Sequence, residues 1–302
     1  MRLTRTVQST TALLAVSLSL ASCGGSSSKD TTKAGPTTAT TASAAAGNAL
    51  FALLPQEIQS SKKVRAATDG TYPPNEFTGT DGKTLQGFDL DLAKAVGDKL
   101  GVTIEFDNAK FDSIITGITA GRYDLSFSSF TDNKARQAKV DFVDYFTAGT
   151  SILVKKGNPE HIGALKDLCG KKIALETGTV QVDIAKAAKC PAGKKIDVTA
   201  LPDDATARLQ VKTGRAVADM NDFPVAAYTA KTAGNGNDFE VVGTQYETAP
   251  YGIAISKDLG GLRDAIQVAL KAMVADGSYD TILKKWDIEQ GALKDITVNA
   301  GS

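Results

Sequence analysis

Histidine is nearly missing from this chain: there is one in 302 residues, His161, in the loop KKGNPEH. A single imidazole cannot build a histidine-rich metal centre, so no metal is expected and His161 is read as solvated. An excess of charge of one sign is missing too. The 34 basic residues are matched by 34 acidic ones with no long run of either, which leaves no electrostatic footprint for nucleic acid. The chain has neither a G-x-x-x-x-G-K-[ST] phosphate loop nor a G-x-S-x-G nucleophile elbow, and no repeat of 20 to 50 residues is visible. No cofactor is expected.

What is present begins with Arg2 and Arg5, the apolar run TALLAVSLSL and then Leu20-Ala21-Ser22-Cys23. This is the pattern of a secretory signal, expected over 1–22, and its apolar run is too short to span a bilayer. LASC resembles the lipobox of bacterial lipoproteins, which implies cleavage before Cys23 and lipid on its sulfur and amine. Residues 24–48 are low in complexity and lack large apolar side chains, as a tether would. The lipidated Cys and flexible linker are assigned to 23–61. About 250 residues remain, enough for one large or two medium domains. Once Cys23 is set aside, Cys169 and Cys190 are left over in an exported chain and are expected to pair. The closed loop would contribute roughly 3 kcal/mol in the chain-entropy model.

Beyond the linker, strand-like and helix-like segments alternate, the pattern of mainly parallel sheets with helices on both faces. GFDLDLAKAVGDKLG reads as a helix capped by Asp89, with Asp89 and Asp91 in a solvated first turn. GRYDLSFSSFTDNKARQAKVDF is the most informative stretch. A strand, YDLSFS, runs into Ser128, Ser129 and Thr131; Thr131 or Asp132 is placed to cap a short helix, and Arg136 reaches back from it. Helix N–H groups and a guanidinium fork can together hold a carboxylate. In such sheets ligands sit beyond the carboxyl ends of the strands. Asp69, Ser128 with Ser129, Thr177 to Thr179, and Asn221 with Asp222 all fall there, whereas both cysteines precede strands at the opposite edge.

From about residue 62 to 287 the chain resembles the bacterial extracellular solute-binding proteins for polar amino acids that feed ABC importers. The resemblance is carried by TDGTYPPNEF, GFDLDLAKAVGDKLG, the stretch from Phe111 to Phe142, LKDLCGKKIALETGT, GRAVADMNDFPVAAY, YGIAIS and ADGSYDTILKKW; KTAGNG is like the glutamine-binding branch. It implies a two-lobe periplasmic-binding-protein-like fold (type II), each lobe a mainly parallel α/β sheet flanked by helices, joined by two crossover hinge strands. Lobe one would comprise 62–148 and 251–290, lobe two 152–246, and a tail 291–302. The implied partners are an amino-acid ligand, a membrane permease and the membrane through the lipid; a monomer is expected.

The resemblance also implies roles. Arg136, with the backbone N–H of Thr131, would bind the ligand carboxylate, and the helix N-terminus at Thr179 would supply a second contact. Asp222, with an oxygen of Ser129, would hold the ammonium. Tyr72 and Phe111 would form aromatic walls, Asp69 would read the side chain, and Ser128 would line the pocket. Glu176 stands where the glutamine-binding branch has lysine, and Val180 where it has glycine. On the residues alone, Asp222 also reads as a helix cap and Glu176 as a solvated strand-end carboxylate. If both acids face the ligand, Asp69 and Glu176 favour a cationic or hydrogen-bond-donating side chain: arginine, lysine or glutamine. Two other classes stay open, an enzyme on the same fold of the cyclohexadienyl-dehydratase kind and a ligand-binding partner of a membrane sensor.

Overall fold

The computed structural model describes residues 49–302 apart from Ala192. The signal segment, Cys23 and the low-complexity stretch lie outside the described residues. Chain order is α1 (Gln56–Ser61), β1 (Lys63–Thr68), a ribbon of β2 (Thr71–Tyr72), β3 (Glu76–Thr78) and β4 (Leu85–Gln86), α2 (Phe88–Leu100), β5 (Thr103–Asn108), α3 (Phe111–Thr119), β6 (Leu125–Ser126), α4 (Lys134–Gln137) and the long β7 (Val140–Lys155). There follow β8 (Lys172–Glu176), α5 (Val180–Ala187), β9 (Asp197–Leu201), α6 (Asp204–Lys212), β10 (Ala218–Asp222), α7 (Phe223–Thr232), the long β11 (Phe239–Ser256), α8 (Gly260–Asp276) and α9 (Ser278–Trp286).

Among the described residues the strands join as β5-β1-β6-β11-β7-β10-β8-β9. β1 lies parallel to β5 and β6, and β8 parallel to β9 and β10. β7 and β11 run antiparallel to each other through both halves, making two α/β lobes linked by two crossing strands. In the sequence each crossing strand reads as two separate strand-like runs, DYFTAG and SILVKKG for β7, FEVVG and YGIAIS for β11. They are continuous because the β7–β11 ladder carries on through the junction with register shifts between Val242 and Tyr246 and between Tyr246 and Ala249.

Alternation along β7 builds the lobes. Val143 and Tyr145 face one core with Leu92, Val96, Ile266 and Met273, while Val140 and Phe142 face another with Ile114, Ile118 and Phe130. In the second lobe Ile152 and Val154 face Ile173, Leu175 and Val182, and Leu153 between them faces Ala207, Val211 and Ala226. Both sheets are thus covered on both faces, and each fully buried Leu, Ile or Val contributes roughly 1.5–3 kcal/mol.

Several local expectations need correction. α2 begins after Gly87, not Asp89, because Gly87 (φ +136°) passes so close to Asn75 that a Cβ would meet its carbonyl oxygen at 2.1 Å. Asp89 is fully buried rather than solvated; it accepts from Ser129 N (3.1 Å) and from Tyr145 Oη (2.8 Å), and only Asp91 reaches the surface, paired with Lys285. α4 is capped by Asn133, which accepts from Arg136 N, in place of Thr131 or Asp132. Residues 56–61, read as linker, form α1, and Leu54 and Ile58 join the first core. The last residues pack as well: Val298 bridges Val143, and Gly301 N donates to Asp132 (2.7 Å). Cys169 and Cys190 form a disulfide with Cα atoms 5.6 Å apart.

Candidate functional site

Where the two lobes face each other, a narrow, nearly closed cavity of about 10 Å³ is lined by Tyr72, Phe111, Ser129, Thr131, Arg136, Thr179, Val180, Gln181 and Asp222. The first five come from the lobe of β1 and the last four from the lobe of β8. Topology puts them there: β1, β6, β8 and β10 all end at this face, and the turns that follow them carry the polar groups.

Arg136 reaches in from α4. Its Nη1 donates to Thr131 O (2.8 Å) and its Nη2 crosses to Gly178 O in the other lobe (3.0 Å). The guanidinium lies over the rings of Phe111 (5.5 Å) and Phe130 (5.1 Å), which stack on each other. Burial lowers its pKa to about 10, so it remains cationic at neutral pH. Gly178 must be glycine: its φ is +85°, and a Cβ there would meet Asp112 Cβ of the opposite lobe at 2.9 Å.

Asp222 closes the far wall at the junction of β10 and α7. It occupies the cap position, yet its side chain makes no capping bond; Oδ1 accepts instead from Gln181 Nε2 (2.8 Å). Burial raises its pKa to about 6. Gln181 also donates to Thr150 Oγ1 (3.1 Å) and so ties the start of α5 to β7. Thr179 precedes α5 and points its hydroxyl back to Glu176 O (2.9 Å), leaving the helix start turned to the cavity. Ser129 sits at φ +48° on the opposite wall, held by Asp89, Glu76 and Asn75; its Oγ donates to Glu76 (3.0 Å) and accepts from Asn75 Nδ2 (2.9 Å).

Seven of the ten residues singled out in the sequence line this cavity. The other three stand behind its wall. Asp69 is 2% exposed; Oδ2 accepts from Phe111 N at the start of α3 (3.1 Å) and Oδ1 from Thr71 Oγ1 (2.7 Å). Ser128 is fully buried and accepts from Asp69 N (2.9 Å), which sets the strand end rather than the wall. Glu176 is 4% exposed, not solvated: it accepts from Tyr72 Oη across the lobes, while its Oε1 makes no hydrogen bond. Burial, with Asp69 nearby, pushes its pKa up to about 10. Burial raises Asp69 as well.

Three groups at the site escaped the sequence reading: Gln181, Glu76 and Asn75. Gln181 carried a usable signal, a polar residue in the first turn of a helix whose neighbours Val182 and Ile184 are buried. Glu76 and Asn75 carried none, since they act through a ribbon whose fold is set by tertiary contacts.

The arrangement supplies a fixed cation and a carboxylate on opposite lobes of one cleft, with aromatic faces between. A model of the bacterial extracellular solute-binding proteins, family 3, matches residues 64–289. The chain is 30% identical over 253 residues to the arginine-binding protein ArgT of Corynebacterium glutamicum, covering 82% of each. A solved structure of an ancestral arginine-binding protein bound to arginine superposes with a TM-score of 0.69 at 39% identity, over 74% of this chain and 98% of that one. Another, bound to glutamine, gives 0.68 at 38% identity, over 76% and 99%.

Proposed function

The chain belongs to the bacterial extracellular solute-binding proteins of family 3, and from that premise we propose that it is the substrate-binding component of an ABC importer, capturing a polar amino acid with a cationic or hydrogen-bond-donating side chain. The family is one of binding proteins rather than enzymes. The observation that carries the reading is that Arg136 and Asp222, from different lobes, line one cleft.

A zwitterion is costly to desolvate unless both charges are met. The ligand carboxylate goes to Arg136, the N–H of Thr131 and the N-terminal turn of α5 at Thr179; the ammonium goes to Asp222 and Ser129 Oγ. Tyr72 and Phe111 flank the stem, and the side chain runs toward Glu176, with Asp69 behind the wall. Because each lobe brings half of the contacts, ligand binding favours the closed arrangement by differential affinity. Arginine heads the candidates, followed by lysine and glutamine. The lobes are assigned to 62–148 with 251–290 and to 152–246. The protein acts outside the cell membrane as a monomer held by lipid on Cys23, and it delivers its ligand to a permease.

A thermal-shift screen of the twenty amino acids and polyamines tests this. A true ligand at a hundred times its Kd adds about 2.7 kcal/mol of stability and stands out. Arginine is expected to give the largest shift. A larger shift with glutamate than with arginine and glutamine, or no shift with any amino acid, overturns the assignment.

A further inference from the structure

Several contacts join the lobes without using any residue of the cavity wall, among them Lys231 with Asp287 (3.4 Å) and the rings of Phe77 and Tyr228; two more come from α6 and its cap. Arg208 is the larger. Its side chain is 15% exposed, and Nε pairs with Asp204 (2.9 Å), which is 2% exposed. Nη1 donates to Thr229 Oγ1 on α7 (2.7 Å). Nη2 leaves the lobe and donates to Thr71 O on β2 (3.1 Å). Asp204 in turn accepts from Asn221 through its other oxygen, so the guanidinium is aimed before the lobes meet. The second contact is Lys110, just before α3, with Asp203, the cap of α6 (3.0 Å).

We propose that Arg208 is a positioning residue for binding: it latches β2 of the first lobe to α6 of the second and sets the fraction of protein that is closed, whatever the ligand. The proposal rests on the reading of a two-lobed protein that closes on its ligand.

The physical argument is one of linkage. Arg208 and Thr71 do not line the cavity, so a bound ligand neither makes nor breaks their bond. When the lobes part, Thr71 O and Nη2 exchange that bond for water, and the energy of the contact belongs to closure alone. An affinity that requires closure is scaled by the closed fraction, so weakening the latch weakens every ligand by one factor. A group that touched the ligand side chain would instead change the ranking of ligands. The neighbouring Lys110–Asp203 pair follows the same logic but is more exposed, with Lys110 56% accessible, and screening makes it the smaller partner.

The test uses the mature chain with donor and acceptor dyes on the two lobes. Distances are read without ligand, and Kd values for arginine and glutamine by calorimetry. Arg208→Ala removes the ion-pair partner of buried Asp204 and can fail to fold, so Arg208→Lys is the primary variant; it keeps the charge beside Asp204 but not the fork. Expected are a longer mean distance between the lobes in ligand-free Arg208→Lys and a loss of roughly tenfold for both ligands at an unchanged ratio. Lys110→Glu should shift both readouts in the same direction by about threefold or less. Unchanged distances, unchanged affinities, or a loss that differs between the two ligands overturns the proposal. The ligand-free distance does not depend on which amino acid binds, so a failed ligand assignment is told apart from a failed latch.

Discussion

At one end of the cleft Arg136 from one lobe faces Asp222 from the other, each in a rigid setting: an aromatic stack under the guanidinium, Gln181 on the carboxylate. At the other end Tyr72 meets Glu176 across the lobes, with Asp69 behind them, two acids and a phenol crowded together out of water. The difference lies in protonation. Arg136 keeps its charge, and Asp222, with a pKa of about 6, is mostly ionised at neutral pH. Glu176, pushed to about 10 by burial and by Asp69, holds its proton. The first end is prepared for two fixed opposite charges, as in the backbone of any amino acid. The second is adjustable, able to accept an amide as a neutral acid or a cation by giving up its proton.

Breaking the first end should have the largest effect. Arg136→Ala removes the cation that a buried ligand carboxylate would need, a loss of about 2–5 kcal/mol in comparable buried pairs, so calorimetry should find affinity for every amino acid reduced by at least about thirtyfold. A variant that still binds arginine normally would show that the carboxylate sits elsewhere. Asp222→Asn should cost somewhat less, roughly ten- to a hundredfold, because the amide oxygen still accepts a hydrogen bond. That loss should appear with α-amino acids and be largely absent with their α-hydroxy analogues, which carry no ammonium.

These two residues were the most legible in the chain, for a reason that the comparison makes clear. Arg136 and Asp222 each follow a strand end within a short local pattern, and the chemistry of a zwitterion asks for just such a pair on two lobes. The alternation of strands and helices likewise foretold the sheets, because period-2 and period-3.6 burial is written locally. What failed to show was non-local. Asp89 looks like a helix cap in sequence, yet Gly87 packs against Asn75 and moves the helix start back, leaving Asp89 under Ser129. Glu176 reads as solvated at the end of a short strand, and only the closing lobe with Tyr72 buries it. The crossing strands looked broken because the register shifts along the β7–β11 ladder leave no mark that sequence periodicity can detect.

Breaking the second end should discriminate between ligands rather than abolish binding. Glu176→Lys places a cation where a guanidinium would arrive, and like charges at close range in a partly desolvated site are strongly unfavourable. Arginine affinity is expected to fall by about tenfold or more, with glutamine falling less, so the preference inverts in a competition assay. Equal losses for the two would mean that residue 176 supports the wall and does not read the side chain.

Protons offer the finest way to separate the two ends. For the ligand-free protein the sign is that of acids whose folded pKa is raised. Between the unfolded value of a carboxyl and the folded one, the native state holds more protons, so stability falls as pH rises through that window. For Asp222 the window runs from about 4 to about 6, and Asp222→Asn should flatten the decline there in pH-dependent melts. Ligands reverse the shift. An ammonium against Asp222 favours its carboxylate, so affinity for any amino acid should rise between pH 5 and 7 and then level off. A guanidinium against Glu176 would do the same to a group that is still protonated at pH 7. Arginine should therefore release close to one proton on binding at that pH, and glutamine should release almost none. Calorimetry in two buffers of different ionisation enthalpy measures this directly. Equal release by both ligands would place the arginine side chain away from Glu176, leaving only the Arg136 and Asp222 end as the reader of charge.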